Sequence, residues 1–180
     1  MIEMTIDSIR GGLVNSQFVV ILKEKTAERY LPIWIGPSEA NAIAIKLRGD
    51  TLPRPLTHDL LLSTIEALGA SIAYVVVNDL KNDTFYAEIV LNANGEYLTI
   101  DSRPSDAIAL AVRSGATIYV EEPVMDRAGL VMDKDSGKII SASQEEFAED
   151  KLSEEDMKRL SVFKNFIDNL DLGDFDQRKS

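Results

Sequence analysis

Cysteine is absent from all 180 residues, which excludes disulfides, thiolate zinc sites and thiol nucleophiles. Histidine occurs once, as His58. No apolar run approaches the roughly 18 residues that span a bilayer. The opening MIEMTIDSIR alternates like a strand and lacks the basic and apolar regions of a signal peptide, so a soluble cytoplasmic protein with no membrane partner is expected. Positive charge is also short. A formal charge of −11 works against a broad nucleic-acid surface, because phosphate affinity comes largely from Lys and Arg, and leaves room only for a local basic groove. GxxxxGK[ST], GxGxxG and GxSxG are all missing, so no nucleotide-binding loop or hydrolase elbow is written here, nor any metal motif of high specificity.

What is present is a core and a repetition. Hydrophobic residues make up 45% of the chain, enough for one domain with an appendage. Residues 30–46 read YLPIWIGPSEANAIAIK and residues 97–113 read YLTIDSRPSDAIALAVR, identical at eight of seventeen positions without a gap. Each stretch follows two further strand signals. In the first half these are the alternation of residues 2–10 and the β-branched SQFVVIL; in the second they are SIAYVVV and TFYAEIVL, with a hairpin expected at Asn94-Gly95. Each leads into a helix opened by proline, Pro37 or Pro104. The expected fold is therefore α+β: internally duplicated β-β-β-α units forming mixed β-structure packed with helices.

Between the halves, Thr57 is read as the N-cap of a further helix, with Leu56 and Leu61 as a hydrophobic staple and Gly69 as its stop. The expected organisation is a domain over 1–125, a polar linker or loop over 126–144, and an acidic helical tail over 145–180. In that tail Met157, Leu160, Phe163, Ile167 and Leu170 form one stripe of an amphipathic helix.

The two copies part company where strand meets helix. The first has Trp34-Ile35-Gly36, apolar and suited to packing; the second has Asp101-Ser102-Arg103, which packing alone does not require. Glu39 and Asp106 fall at the third helical position, where an acid ordinarily caps. PRPLTHDL adds Arg54, His58 and Asp59 at another helix start, in a segment stiffened by two prolines. Asp59, Asp101 and Asp106 could jointly hold a hard divalent cation; equally, they could cap helices and pair with Arg54, Arg103 and Arg113.

PRPLTHDLL and IDSRPSDAIALAVR together, with WIGPSEA, resemble the bifunctional nuclease (BFN) domain family over about residues 2–125. The resemblance implies an α+β domain, a tendency to oligomerise, and nuclease action on RNA or DNA. It directs attention to Arg54, His58, Asp59, Asp101, Arg103 and Asp106. The expectation is metal-assisted phosphodiester hydrolysis. His58, Asp59, Asp101 and Asp106 would be catalytic, Arg54, Arg103 and Arg113 would bind substrate, and Asp101 and Asp106 would hold a divalent cation such as Mg or Mn, with no organic cofactor. Further copies of the chain and single-stranded nucleic acid are the expected partners. The alternative, favoured by the acidic composition, is a non-catalytic oligomeric module that binds a phosphate-bearing ligand or a protein.

Overall fold

A computed structural model describes residues 1–11, 18–132 and 139–141; the tail helix read from the sequence lies outside them. The first half forms β1 (Ile2–Gly11), β2 (Phe18–Glu24), β3 (Arg29–Ile35) and α1 (Pro37–Arg48). After α2 (Thr57–Ala67), the second half forms β4 (Ala70–Lys81), β5 (Thr84–Ala93), β6 (Glu96–Ser102) and α3 (Pro104–Ser114). Then come β7 (Thr117–Val120), α4 (Glu122–Ala128), β8 (Leu130–Met132) and β9 (Ile139–Ser141).

The strands make one mixed sheet in the order β6-β5-β4-β7-β1-β2-β3-β8-β9. Each half is thus an antiparallel meander, and β7 joins the two. It pairs antiparallel with β1 (Ile2 opposite Val120) and parallel with β4 (Tyr74 opposite Thr117). The Asn94-Gly95 turn has positive φ at both residues, 56° and 90°, as a type I′ hairpin requires.

Alternation along the strands sends Leu22, Leu31, Ile33, Val75, Val77, Ile89 and Val120 to one face, where they pack with Ile43, Ile108 and Leu110 of the helices. α1 and α3 pack against each other, and Ala40, Ala42, Ala107, Ala109 and Ala111 on them are all buried. The register places all five tyrosines and Trp34 on the other face, where Tyr74 and Tyr119 meet edge to face at 5.6 Å.

Two readings change. α2 begins with Leu56 in the capping position and Thr57 as its first helical residue, so threonine is not the cap. The stretch after residue 125 is not all linker. α4 runs to Ala128, and β8 extends the sheet by pairing with Arg29 and Tyr30. Arg29 secures this end, with Nε 2.6 Å from Glu24 Oε2 and Nη1 2.7 Å from Glu122 Oε1.

Candidate functional site

Both proline-opened helices start without a side-chain cap, so the acids of their first turns are available for other work. Asp106 uses both its oxygens. Arg103 approaches it with Nε 2.6 Å from Oδ2 and Nη2 3.0 Å from Oδ1, a bidentate clamp that fixes the carboxylate plane. His58, from the first turn of α2, lies with Nε2 3.1 Å from the same Oδ1. The imidazole is largely buried, with 12% of its side chain exposed.

Arg103 also reaches Glu39 of α1, Nη2 to Oε1 3.0 Å. One guanidinium therefore bridges the equivalent acids of the two proline-opened helices, Glu39 and Asp106. A Cβ on Gly36 would meet the Glu39 carboxylate and oblige that side chain to shift. Glu39 joins the cluster although the sequence reading gave it only a capping role. Its alignment with Asp106 was the available signal.

Asp59 and Arg113 form a second, separate unit. Asp59 Oδ2 accepts the Leu56 N–H at 2.8 Å, which makes it the true capping acid of α2, and Oδ1 lies 2.7 Å from Arg113 Nε. Arg113 also donates Nη1 to the Ala109 carbonyl (2.8 Å) and Nη2 to the Ala42 carbonyl (3.1 Å). With 2% of its side chain exposed, Arg113 ties α1, α2 and α3 together from within.

Arg54 lines a cleft beside α2 that Asp59 and Arg113 also border. Asp101 is exposed on β6, directly across the ladder from Glu88, and makes no side-chain hydrogen bond or ion pair among the described residues. The structure thus brings His58, Asp106 and Arg103 together, pairs Asp59 with Arg113, and leaves Arg54 and Asp101 outside those contacts. Around Asp106 the donor set suits a cation poorly, since both oxygens are occupied. Among the described residues no three His, Asp or Glu side chains gather in a way that could hold a metal ion.

Burial raises the pKa of Asp106, but the bonds from Arg103 and His58 outweigh it and hold the carboxyl below its ordinary 3.8. Burial likewise raises Asp59, and the Leu56 N–H and Arg113 carry it below the same value. A carboxyl depressed on folding stabilises the native state above its unfolded pKa, and that contribution disappears as pH falls through the folded value. Thermal melts should therefore lose stability progressively below about pH 5. Asp59→Asn and Asp106→Asn should each be less stable at neutral pH and show a shallower acid slope. A melting temperature that is flat from pH 5 to pH 3 in the unmodified chain would contradict this.

Among the described residues no helix is long and apolar enough to cross a membrane. Comparison with known proteins matches residues 20–133 to the bifunctional nuclease domain model. An uncharacterized protein of Mycobacterium tuberculosis (strain H37Rv) is 41% identical over 173 residues, covering 96% of this chain and 97% of that one. Bifunctional nuclease 1 of Oryza sativa subsp. indica is 26% identical over 115 residues, 62% of this chain and 35% of the rice protein. Bifunctional nuclease 2 of Oryza sativa subsp. japonica is 27% identical over a stretch of the same length. With that model covering more than half of its length, the chain belongs to the bifunctional nuclease domain family.

Proposed function

We propose that the protein hydrolyses phosphodiester bonds in single-stranded RNA or DNA, with His58 as the proton-transfer group and Asp106 as the residue that positions it. The observation that carries this reading is the 3.1 Å contact between His58 Nε2 and an Asp106 carboxylate held in place by Arg103. A carboxylate accepts, so the imidazole proton sits on Nε2 and the lone pair on Nδ1 is free to take a proton from the attacking water or ribose hydroxyl. Arg103, 65% exposed, spends Nε and Nη2 on the two acids and keeps Nη1 for a phosphate oxygen. Asp101 shares the tyrosine face of the sheet with Glu88, opposite the helices that carry His58 and Asp106, so the proton-transfer step proceeds without it. The test is cleavage of a single-stranded oligonucleotide by highly purified protein, with and without chelator, in the unmodified chain and in His58→Ala. Cleavage that the substitution leaves intact would favour the alternative, a non-catalytic oligomeric module that binds a phosphate-bearing ligand or a protein.

The two β-β-β-α arms are best understood as copies of one unit, of which the second acquired the Asp101-Ser102-Arg103 junction. Supporting this are the seventeen-residue match and the shared left-handed glycine after each helix, Gly49 (φ 74°) and Gly115 (φ 75°).

The chain is also proposed to act as a homodimer through β6. This strand is an outer edge of the sheet, yet Tyr97, Leu98 and Ile100 on it are 65%, 51% and 46% exposed. Such an edge invites pairing with another chain. Antiparallel pairing of two β6 strands about Thr99 would set Leu98 of each copy against Ile100 of the other and Tyr97 against Asp101, with no like charges opposed. Light scattering should give twice 19.9 kDa at micromolar concentration, and Ile100→Asp should halve it. A monomeric unmodified chain, or a dimer indifferent to Ile100→Asp, would rule this interface out.

A further inference from the structure

Beside α2, the end of α1 and the following loop enclose a cleft of about 240 Å³ lined by Lys46, Asp50, Thr51, Arg54, Asp59 and Arg113 together with apolar side chains. Its charges are unevenly matched. Asp50 is held by Arg48 (Nε to Oδ2 2.8 Å), and Asp59 by Arg113 (2.7 Å). Lys46 and Arg54 remain, and neither makes a hydrogen bond or an ion pair among the described residues. Two cations without a hydrogen-bonded carboxylate beside one concavity favour an anion there, although Asp59 also feels the Lys46 charge across the cleft. The first turn of α2 adds to the demand: its amides have no partner within the helix, and its positive end opens alongside Pro55 and Asp59 of the cleft wall. Lys46 and Arg113 are also the equivalent residues of the two matching stretches. One has turned inward to hold the helices, and the other is left with its charge in the cleft.

We propose that this cleft binds a phosphate group, and that its ligand is a backbone phosphate next to the one presented to His58. The second half of this statement rests on the nuclease reading; the first does not. The geometry behind the pairing is short. His58 and Asp59 are consecutive residues of α2, one facing Asp106 and the other facing the cleft, so a strand crossing the start of α2 meets both places in succession. Thr51 offers a hydroxyl and Arg54 a planar fork, the groups that hold a phosphate oxygen through hydrogen bonds as well as charge.

The experiment is an amide-resolved NMR titration of the full chain with inorganic phosphate, and separately with a 5′-phosphorylated thymidine dinucleotide. It is repeated on Lys46→Ala/Arg54→Ala. Phosphate should shift the amides of Thr51, Arg54, Thr57 and His58 most, and the double variant should lose about tenfold or more in affinity, as expected for charge-assisted bonds, while melting as before. Shifts that centre elsewhere, or an affinity the double variant keeps, overturn the cleft. The dinucleotide should bind at least tenfold more tightly than inorganic phosphate, and equal affinities would overturn a backbone phosphate as the ligand. In cleavage assays the double variant should raise KM and leave kcat near its starting value. If the unmodified chain binds phosphate in the cleft but cleaves nothing, the nuclease reading fails and the phosphate site stands.

Discussion

His58→Ala should lower kcat for single-stranded substrate by about 10²–10⁴-fold, the usual worth of a positioned proton-transfer group, with little loss of stability. The expectation separates catalysis from architecture because of where the ring sits. Among the described residues it makes one hydrogen bond, to Asp106, and that carboxylate keeps both bonds to Arg103 when the imidazole is gone. Asp106 is therefore not left buried and unpaired, and the cost should be about 1 kcal/mol, that of one ordinary hydrogen bond. Asp106→Asn supplies the companion measurement. An amide can present its NH₂ to Nε2, which would place the imidazole proton on Nδ1 and remove the lone pair from the side that needs it. Activity should then fall although the ring stays in place. Equal activity in all three proteins would assign the cleavage to a contaminant.

Arg113→Lys should be the most destabilising conservative change in the described domain, by about 3 kcal/mol, short of a fully buried pair because Asp59 can rehydrate. A lysine carries the charge but is a single point donor, whereas the guanidinium meets Asp59 and the carbonyls of Ala42 and Ala109 in three directions at once. Asp59 is 38% exposed, which limits the penalty on its side, whereas the arginine end is 2% exposed and has no such outlet. A chain of this size should lose roughly 6–12 °C in melting temperature. The measurement also decides what Arg113 is for. A structural clamp lowers the melting temperature and leaves KM unchanged at a permissive temperature. A substrate ligand would raise KM at constant stability.

The sequence carried the fold well where periodicity and punctuation agreed. Alternating strands, Pro37 and Pro104 at helix starts, and the Asn94-Gly95 turn all fell where expected. It failed on β8, since three residues are too few to show alternation and their strand state is imposed by pairing with Arg29 and Tyr30. α4 was missed for a related reason: seven residues span only two turns, too few to show periodicity beside the end signals of Glu122, Pro123 and Arg127.

The candidate site was legible by residue and only partly by contact. His58 and Asp59 read as one motif, yet successive helical residues point about 100° apart. One therefore reaches Asp106 and the other Arg113, and two functions separate within a single dipeptide. Arg113 read as a substrate ligand because its charge is visible in a sequence; its bonds to Asp59 and to the carbonyls of Ala42 and Ala109 are not. Glu39 was hidden by the plausibility of its capping position, and Lys46 by being one of many surface lysines.

The place of β7 between β1 and β4 also bears on how the chain reaches its native state. Each meander can form from neighbours in sequence, but the strand that joins them is made of residues 117–120, more than a hundred positions after its partner at residues 2–4. Until β7 inserts, β1 and β4 both present a bare inner edge, the condition that invites pairing with the wrong chain. Closing so long a loop should make insertion slower than formation of the hairpins and helices. During synthesis the first meander must wait for most of the domain to be made, so the interval before β7 arrives is when this protein is most exposed to aggregation.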